Sequence, residues 1–130
     1  MAKVTREVAE QEISAWLDKK KVFQSEREKN KDSYEHLVDA MCEGYLELDD
    51  QTFEFTHKLI EPLNETPSLK YKARLNDKML KPHLNGLKPT DAEGRLLAYG
   101  AALTTQPKAV LEGLDSADKK IMMAILVFFL

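Results

Sequence analysis

The hydrophobic positions near the start of the chain repeat at helical spacing. Between Arg6 and Lys20 they recur every three or four residues, which is typical of a helix with one buried face. Thr5 is placed to act as the N-cap, and Glu7 suits the positive end of the helix dipole. We therefore predict a first helix over residues 6–20, with the following residues on one face: Ala9, Ile13, Trp16, Leu17 and Lys20.

A polar stretch separates this helix from a second one. Ser25 to Lys31 contains only polar side chains and predicts a surface loop. Asp32 and Glu35 have the spacing of a capping box, which predicts the start of a second helix. Gly44 is a suitable residue just beyond the end of that helix. Its expected apolar face consists of Leu37, Val38, Met41 and Cys42.

In the middle of the chain the hydrophobic period changes to two. Leu46 and Leu48 alternate with polar neighbours, and residues 49–51 (Asp-Asp-Gln) predict a turn. After that turn, Phe53, Phe55 and His57 alternate with polar side chains in the same way. This pattern predicts a β-hairpin with one apolar face.

A further alternation follows three residues that we expect to interrupt the chain, Pro62, Asn64 and Pro67. It predicts a third strand, whose residues on one face are Leu69, Tyr71, Ala73 and Leu75.

The last third of the chain is predicted to be helical. Residues 79–87 are ambiguous, because Pro82 and Gly86 disfavour both helix and strand. Thr90 and Glu93 have capping-box spacing and predict the next helix. Gly100 and its small neighbours would let another element approach this helix closely.

Two further helices are predicted near the end of the chain. Residues 104–107 (Thr-Thr-Gln-Pro) predict the end of the preceding helix, and Pro107 can open a short one. Asp115 and Asp118 predict the start of a closing helix with an apolar run behind it.

These elements predict an α+β fold that is predominantly helical, with a small antiparallel sheet of two or three strands in the middle of the chain. The 130 residues match the usual size of one domain. We expect a single domain over residues 1–130, with a helical part at 1–44, the hairpin and third strand at 45–75, and the closing helices at 89–130. Hydrophobic residues make up 43% and charged residues 32%, so a packed core and a solvated surface are both expected.

Charge and cysteine content narrow the class of protein. The net charge of −3 is spread over mixed signs, which does not favour nucleic acid as a partner. Cys42 is the single cysteine, so no internal disulfide can form, as is usual in a reducing compartment. The first residues are polar and lack a secretion signal, and the longest apolar run has ten residues where a membrane span needs about 20. We expect a soluble cytoplasmic protein that does not enter membranes.

No pattern of catalytic or metal-binding residues stands out. His36, His57 and His83 are far apart in sequence, and no closely spaced pair of metal ligands occurs. Cys42 lies on an apolar helical face, which favours an inert core thiol over a nucleophile. The isolated glycines form no phosphate-binding loop. We therefore expect no enzymatic activity, no cofactor and no metal.

Lys19, Lys20 and Lys21, with Trp16 and Phe23 nearby, form the one basic and aromatic cluster in the sequence. Lysines at this place complement the negative end of the predicted first helix, and we prefer that interpretation. A role in nucleic-acid binding is the alternative.

The apolar run from Ile121 to Leu130 is the most informative feature. A helix that is apolar on almost every face must be surrounded by protein. Core placement is the simpler explanation, and a surface for a partner or for self-association is the alternative. The candidate contact residues are Met122, Ile125, Phe128 and Phe129.

Residues 53–130 resemble the tail assembly chaperones of long-tailed bacteriophages. The resemblance rests on two extended stretches, followed by helices that short helix-breaking segments separate from one another. Those features are Phe53–Pro62, Leu69–Leu75, Pro89-Thr90-Asp91, Leu103-Thr104-Thr105-Gln106-Pro107, Val110-Leu111, Leu114-Asp115-Ser116-Ala117-Asp118 and the closing helix to Leu130.

The resemblance implies a protein of the bacterial host cytoplasm that binds the phage tape-measure protein and helps to recruit tail-tube subunits. It would keep apolar helices of the tape measure from aggregating until the tube forms. Self-association is a further expectation. The alternative function is a small structural virion protein of the tail or of head completion. A third hypothesis is a minor enzyme or a nucleic-acid-binding regulator.

Overall fold

The computed structural model describes residues 3–130, which form seven helices and one three-stranded antiparallel sheet. The fold class is therefore α+β, as the sequence predicts. The elements, in chain order, are α1 (Arg6–Lys20), α2 (Gln24–Lys29), α3 (Lys31–Cys42), β1 (Leu46–Leu48), β2 (Phe55–Leu63), β3 (Thr66–Tyr71), α4 (Asp77–Leu84), α5 (Ala92–Thr104), α6 (Lys108–Glu112) and α7 (Ser116–Leu126).

Helix α1 has the predicted bounds. The Val8 amide donates to the Thr5 hydroxyl over 3.3 Å, so the predicted N-cap is confirmed. Ala9, Ile13 and Trp16 are buried on the expected face. The hydrophobic spacing and the cap predict this helix correctly, because α1 is amphipathic and its start is set by a local hydrogen bond.

The predicted loop after α1 is wrong, because residues 24–29 form the short helix α2. No residue of α2 is buried, and its Arg27 donates to the Val22 carbonyl and to the Asp18 carboxylate, over 2.9 and 2.8 Å. An all-polar helix gives no periodic signal, and these contacts with the preceding segment hold it in place. The second predicted helix, α3, starts at Lys31 instead of being capped by Asp32.

Strand β2 is the centre of the sheet and pairs antiparallel with both β1 and β3. Leu46 lies opposite His57, and Phe55 lies opposite Tyr71. The connection from β1 to β2 is longer than the predicted turn. Phe53, which was expected in the strand, has φ of 58° and belongs to this loop.

Pro62 and Pro67 do not interrupt the sheet, contrary to the prediction. Both lie within strands, and the chain turns between them. The pairing of β2 with β3 is irregular between Lys58 and Leu63, where missing proline N–H groups can be tolerated. The third strand ends at Tyr71, so the predicted positions at Ala73 and Leu75 lie outside it.

The helices of the last third follow the predicted breaks. Helix α4 overlaps the first part of the ambiguous segment and keeps Pro82 in its interior. Asp91, and not Thr90, caps α5, since the Gly94 amide donates to its carboxylate over 2.8 Å. Thr105 ends α5 with φ of 58°, and Pro107 is the N-cap of α6.

The core joins α1, α3, the sheet, α5 and α7. Trp16 lies within it, and the centre of its ring is 4.7 Å from the ring centre of Phe55 and 5.8 Å from that of Phe128. At Gly100 a Cβ atom would lie 2.9 Å from Leu111 and 3.3 Å from Met122. The prediction that small residues on α5 allow close approach is therefore confirmed at this glycine.

Candidate protein-binding groove

Helix α7 packs against α3, α5 and β2, and this position decides which of its residues are accessible. Of the four predicted contact residues, Met122, Ile125 and Phe128 are buried. Phe129 is half-buried, and the Lys20 ammonium lies 3.3 Å from the centre of its ring. The three buried residues belong to the core in this structure, and contact of the four residues with a partner stays a prediction.

An apolar groove nevertheless opens between α5 and α7, with a volume of about 520 Å³. Met123 is 45% exposed and Leu130 is 60% exposed, and they are two of the four exposed large apolar side chains in residues 3–130, together with Val8 and Phe23. We call this feature the apolar groove, and its lining residues are Ala92, Glu93, Leu96, Leu97, Glu112, Lys119, Met122, Met123 and Leu130.

The helical spacing of two segments builds the groove. On α5, Ala92 and Leu96 are four residues apart and lie on the same side of the helix. On α7, Lys119 and Met123 are also four residues apart and lie on the same side of the helix. Met122 also lines the groove. Two methionines give the groove an adaptable wall, since their unbranched side chains can fit different apolar shapes.

Charged residues border the apolar groove. Glu93 of α5 and Glu112 of α6 contribute two carboxylates, while Lys119 of α7 contributes one ammonium group. An apolar floor with charges at its edge is the usual composition of a surface that binds an amphipathic helix. Such a surface suits the binding of an apolar helix face.

A second feature is a buried group of polar side chains that we call the polar cluster: His57 of β2, Tyr71 of β3 and Asp118 of α7. Nε2 of His57 lies 2.9 Å from Oδ1 of Asp118, and Nδ1 lies 3.4 Å from the Tyr71 hydroxyl. Burial lowers the pKa of His57, although its hydrogen bond with Asp118 opposes that shift. The neutral imidazole then donates from Nε2 to the carboxylate and accepts at Nδ1 from the Tyr71 hydroxyl.

Asp118 also binds the backbone of β2. Its Oδ1 accepts from the Ile60 amide over 2.8 Å, and its Oδ2 accepts from the Glu61 amide over 3.1 Å. These amides lie in the irregular part of the β2–β3 pairing. The carboxylate therefore replaces missing strand hydrogen bonds and attaches α7 to the sheet.

The polar cluster has the residue types of an acid–base site but no access for a substrate. His57 and Asp118 are 0% exposed and Tyr71 is 1% exposed. Burial, followed by the charge of Asp118, also raises the pKa of Tyr71 well above its usual range, so it remains a phenol. The arrangement supports a structural role, in which three elements are held together by satisfied hydrogen bonds.

The remaining candidates from the sequence are not brought together. Cys42 is half-buried at the end of α3, and His36 and His83 lie on α3 and α4. Within residues 3–130, no group of three or more His, Cys, Asp or Glu side chains is placed to hold a metal ion. None of the helices in that part of the chain combines the length and apolar character that crossing a bilayer requires.

Sequence reasoning missed both the partner of His57 and the open part of α7. Both predicted helix-start residues are at the start of α7: Asp115 is the N-cap, with the Ala117 amide donating to its carboxylate over 2.9 Å, and Asp118 lies in the first turn. The contact of Asp118 with His57 has no signal in the sequence. Met123 and Leu130 belong to the apolar run that raised the question of a partner. The run itself holds no signal that separates them from their buried neighbours.

The fold and the groove define an α+β protein with a candidate protein-binding surface and a closed polar core. Comparison with protein-family models found no match. Comparison with curated proteins and with solved structures found no significant match either.

Proposed function

We propose that the protein is a non-enzymatic binding protein that holds an amphipathic helix of a partner in the apolar groove. The observation that carries this proposal is the exposure of Met123 and Leu130 along a groove between two helices. Large apolar side chains that stay in water favour a partner that covers them.

The proposed partner is the tape-measure protein of a long-tailed bacteriophage, and the proposed role is that of a tail assembly chaperone in the host cytoplasm. The order of short strands, helices and breaks in residues 53–130 supports this role. A tape-measure protein presents long amphipathic helices that need temporary cover before tail-tube subunits arrive. An adaptable methionine-lined groove suits repeated, reversible binding to such helices.

The border of the groove indicates which helices bind best. Glu93 and Glu112 together outweigh Lys119, so the groove has a net negative border. We expect the bound helix to carry an apolar stripe at positions i, i+3, i+4 and i+7, flanked by lysine or arginine. Charge complementarity of this kind mainly affects association rate and choice of partner.

The experiment compares a double variant, Met123→Lys with Leu130→Lys, with the control variant Val8→Lys. Val8 is 40% exposed on α1 and does not line the groove, so the control places a lysine at an exposed apolar residue elsewhere. Co-expression with the tape-measure protein, followed by co-purification and a solubility assay, gives the readout. We expect the double variant to weaken capture by tenfold or more, because two apolar contacts are replaced by charges.

Equal capture by the double variant and the wild type would contradict the groove as the binding site. No capture and no gain in tape-measure solubility with the wild type would contradict the chaperone role. Mass spectrometry of purified particles separates this role from that of a virion subunit. A chaperone is absent from mature particles, whereas a structural subunit is present in fixed copy number.

A further inference from the structure

A second cavity, of about 250 Å³, lies at the C-terminal end of α1 and shares no lining residue with the apolar groove. The end of α1, the loop between β1 and β2, and the segment after β3 form its walls. We call it the cationic pocket, and its main lining residues are Trp16, Lys19, Lys20, Thr52, Phe53 and Arg74.

Three of the residues that line this pocket are basic: Lys19, Lys20 and Arg74. Within residues 3–130, no carboxylate lies within 4.0 Å of Lys19, Lys20 or Arg74. The contact that Arg74 makes is to the Lys19 carbonyl, which accepts from Nη2 over 3.0 Å. A guanidinium has five N–H donors, so this bond leaves others free to bind a ligand.

Lys20 is the most constrained of the three cations. Its ammonium lies 3.3 Å from the centre of the Phe129 ring and 5.8 Å from the centre of the Trp16 ring. Its pKa is lowered to about 8, mainly by burial and then by the charge of Arg74, against a weaker opposing effect of Glu26. The α1 dipole and the aromatic rings favour an ammonium at this place, whereas burial and the nearby Arg74 charge oppose it.

The other walls of the pocket are also unusual. Phe53 has φ of 58°, a conformation that a bulky residue adopts only when its surroundings require it. The indole N–H of Trp16 is buried and has no hydrogen-bond acceptor in the described part of the chain. A strained backbone and an unsatisfied donor thus belong to residues that line the same cavity as the three basic residues.

We propose that the cationic pocket binds an oxyanion, with Lys19, Lys20 and Arg74 supplying the positive charges. The chemistry is that of a carboxylate or a phosphate group, either of which can accept hydrogen bonds from a guanidinium and an ammonium at once. The bound anion pairs with Lys20 and so favours its charged form.

The test uses Trp16, which is the one tryptophan of the chain and therefore gives a single indole N–H resonance. The full-length protein is titrated with inorganic phosphate, with acetate and with chloride at constant ionic strength and pH 7. We expect a saturable shift of the indole resonance with phosphate or acetate and none with chloride. Saturation at lower phosphate concentration indicates a phosphoryl ligand, and saturation at lower acetate concentration indicates a carboxylate.

Variants identify the site. Arg74 is exposed, so Arg74→Gln should fold normally and weaken binding about tenfold, as expected when one charge-assisted hydrogen bond is lost. Arg74→Lys should restore most of the binding, because it keeps the charge. Lys21→Gln is the control, since it removes an equal charge from an exposed neighbour outside the pocket.

Absence of a saturable shift, or an equal shift with chloride, would overturn the proposal. Equal losses in Arg74→Gln and Lys21→Gln would do the same, because they would indicate a general charge effect. These outcomes do not depend on capture of a partner helix, so the proposed function and the oxyanion site can fail separately.

Discussion

Helix α7 contributes to two regions of opposite character. In the polar cluster, Asp118 carries a charge and hydrogen bonds but is closed to solvent. In the apolar groove, Met123 is an apolar side chain open to solvent. The hydrogen-bonded polar groups therefore lie where solvent does not reach, and the exposed side of α7 carries a large apolar side chain. This contrast is the physical reason to propose that the groove binds an apolar helix face.

The largest expected effect comes from breaking the polar cluster. Asp118→Ala leaves the His57 ring and the amides of Ile60 and Glu61 without their acceptor. We expect a loss of about 3–5 kcal/mol in the free energy of unfolding, because a buried charged partner is removed. Urea denaturation measures this loss.

Asp115→Ala is the matched control, since it removes an exposed carboxylate that caps the same helix. It should cost about 1 kcal/mol, the usual value for an N-cap. Equal losses in the two variants would show that Asp118 acts only as a helix-start residue.

The next effect distinguishes the two adjacent methionines of α7. Met122 is 2% exposed and Met123 is 45% exposed. Met122→Ala should cost about 2–3 kcal/mol, because it leaves a cavity in the core, while Met123→Ala should stay within about 0.5 kcal/mol. Thermal or urea unfolding of both variants gives the comparison. A large loss in Met123→Ala would mean that the groove side chains support the fold and are not free for a partner.

The smallest effect is a dependence of stability on pH through His57. Its folded pKa is below the usual 6.5, because burial penalises the imidazolium. Between the folded and unfolded pKa values the unfolded chain binds more protons, so the free energy of unfolding rises with pH in that window. Stability should therefore fall as the pH drops below about 6.5.

Urea unfolding of the wild type and His57→Gln at several pH values from about 5.5 to 7.5 checks this slope. His57→Gln should flatten it, whereas His83→Gln, on α4 and outside the polar cluster, should leave it unchanged. A wild-type slope retained in His57→Gln would assign the pH dependence to other groups.

The fold could be predicted well where local chemistry decides it. For α1, the helical spacing of Ala9, Ile13 and Trp16 and the cap at Thr5 were enough to predict its bounds. The break around Pro107 correctly separated two helices. Predictions failed where contacts with residues distant in sequence override the local preference of a residue. Pro67 lies in a strand because the irregular pairing beside it tolerates a missing donor.

The sequence by itself determined the α+β class, the position of α1 and the apolar character of the chain from Ile121 onward. Only the tertiary structure decided that Asp118 meets His57 across 61 positions and that Met123, not Met122, remains open. Periodicity and capping depend on residues within one or two turns, so the sequence carries them directly. Which face of a uniformly apolar helix is covered depends on the packing of distant elements, and no local pattern specifies that arrangement.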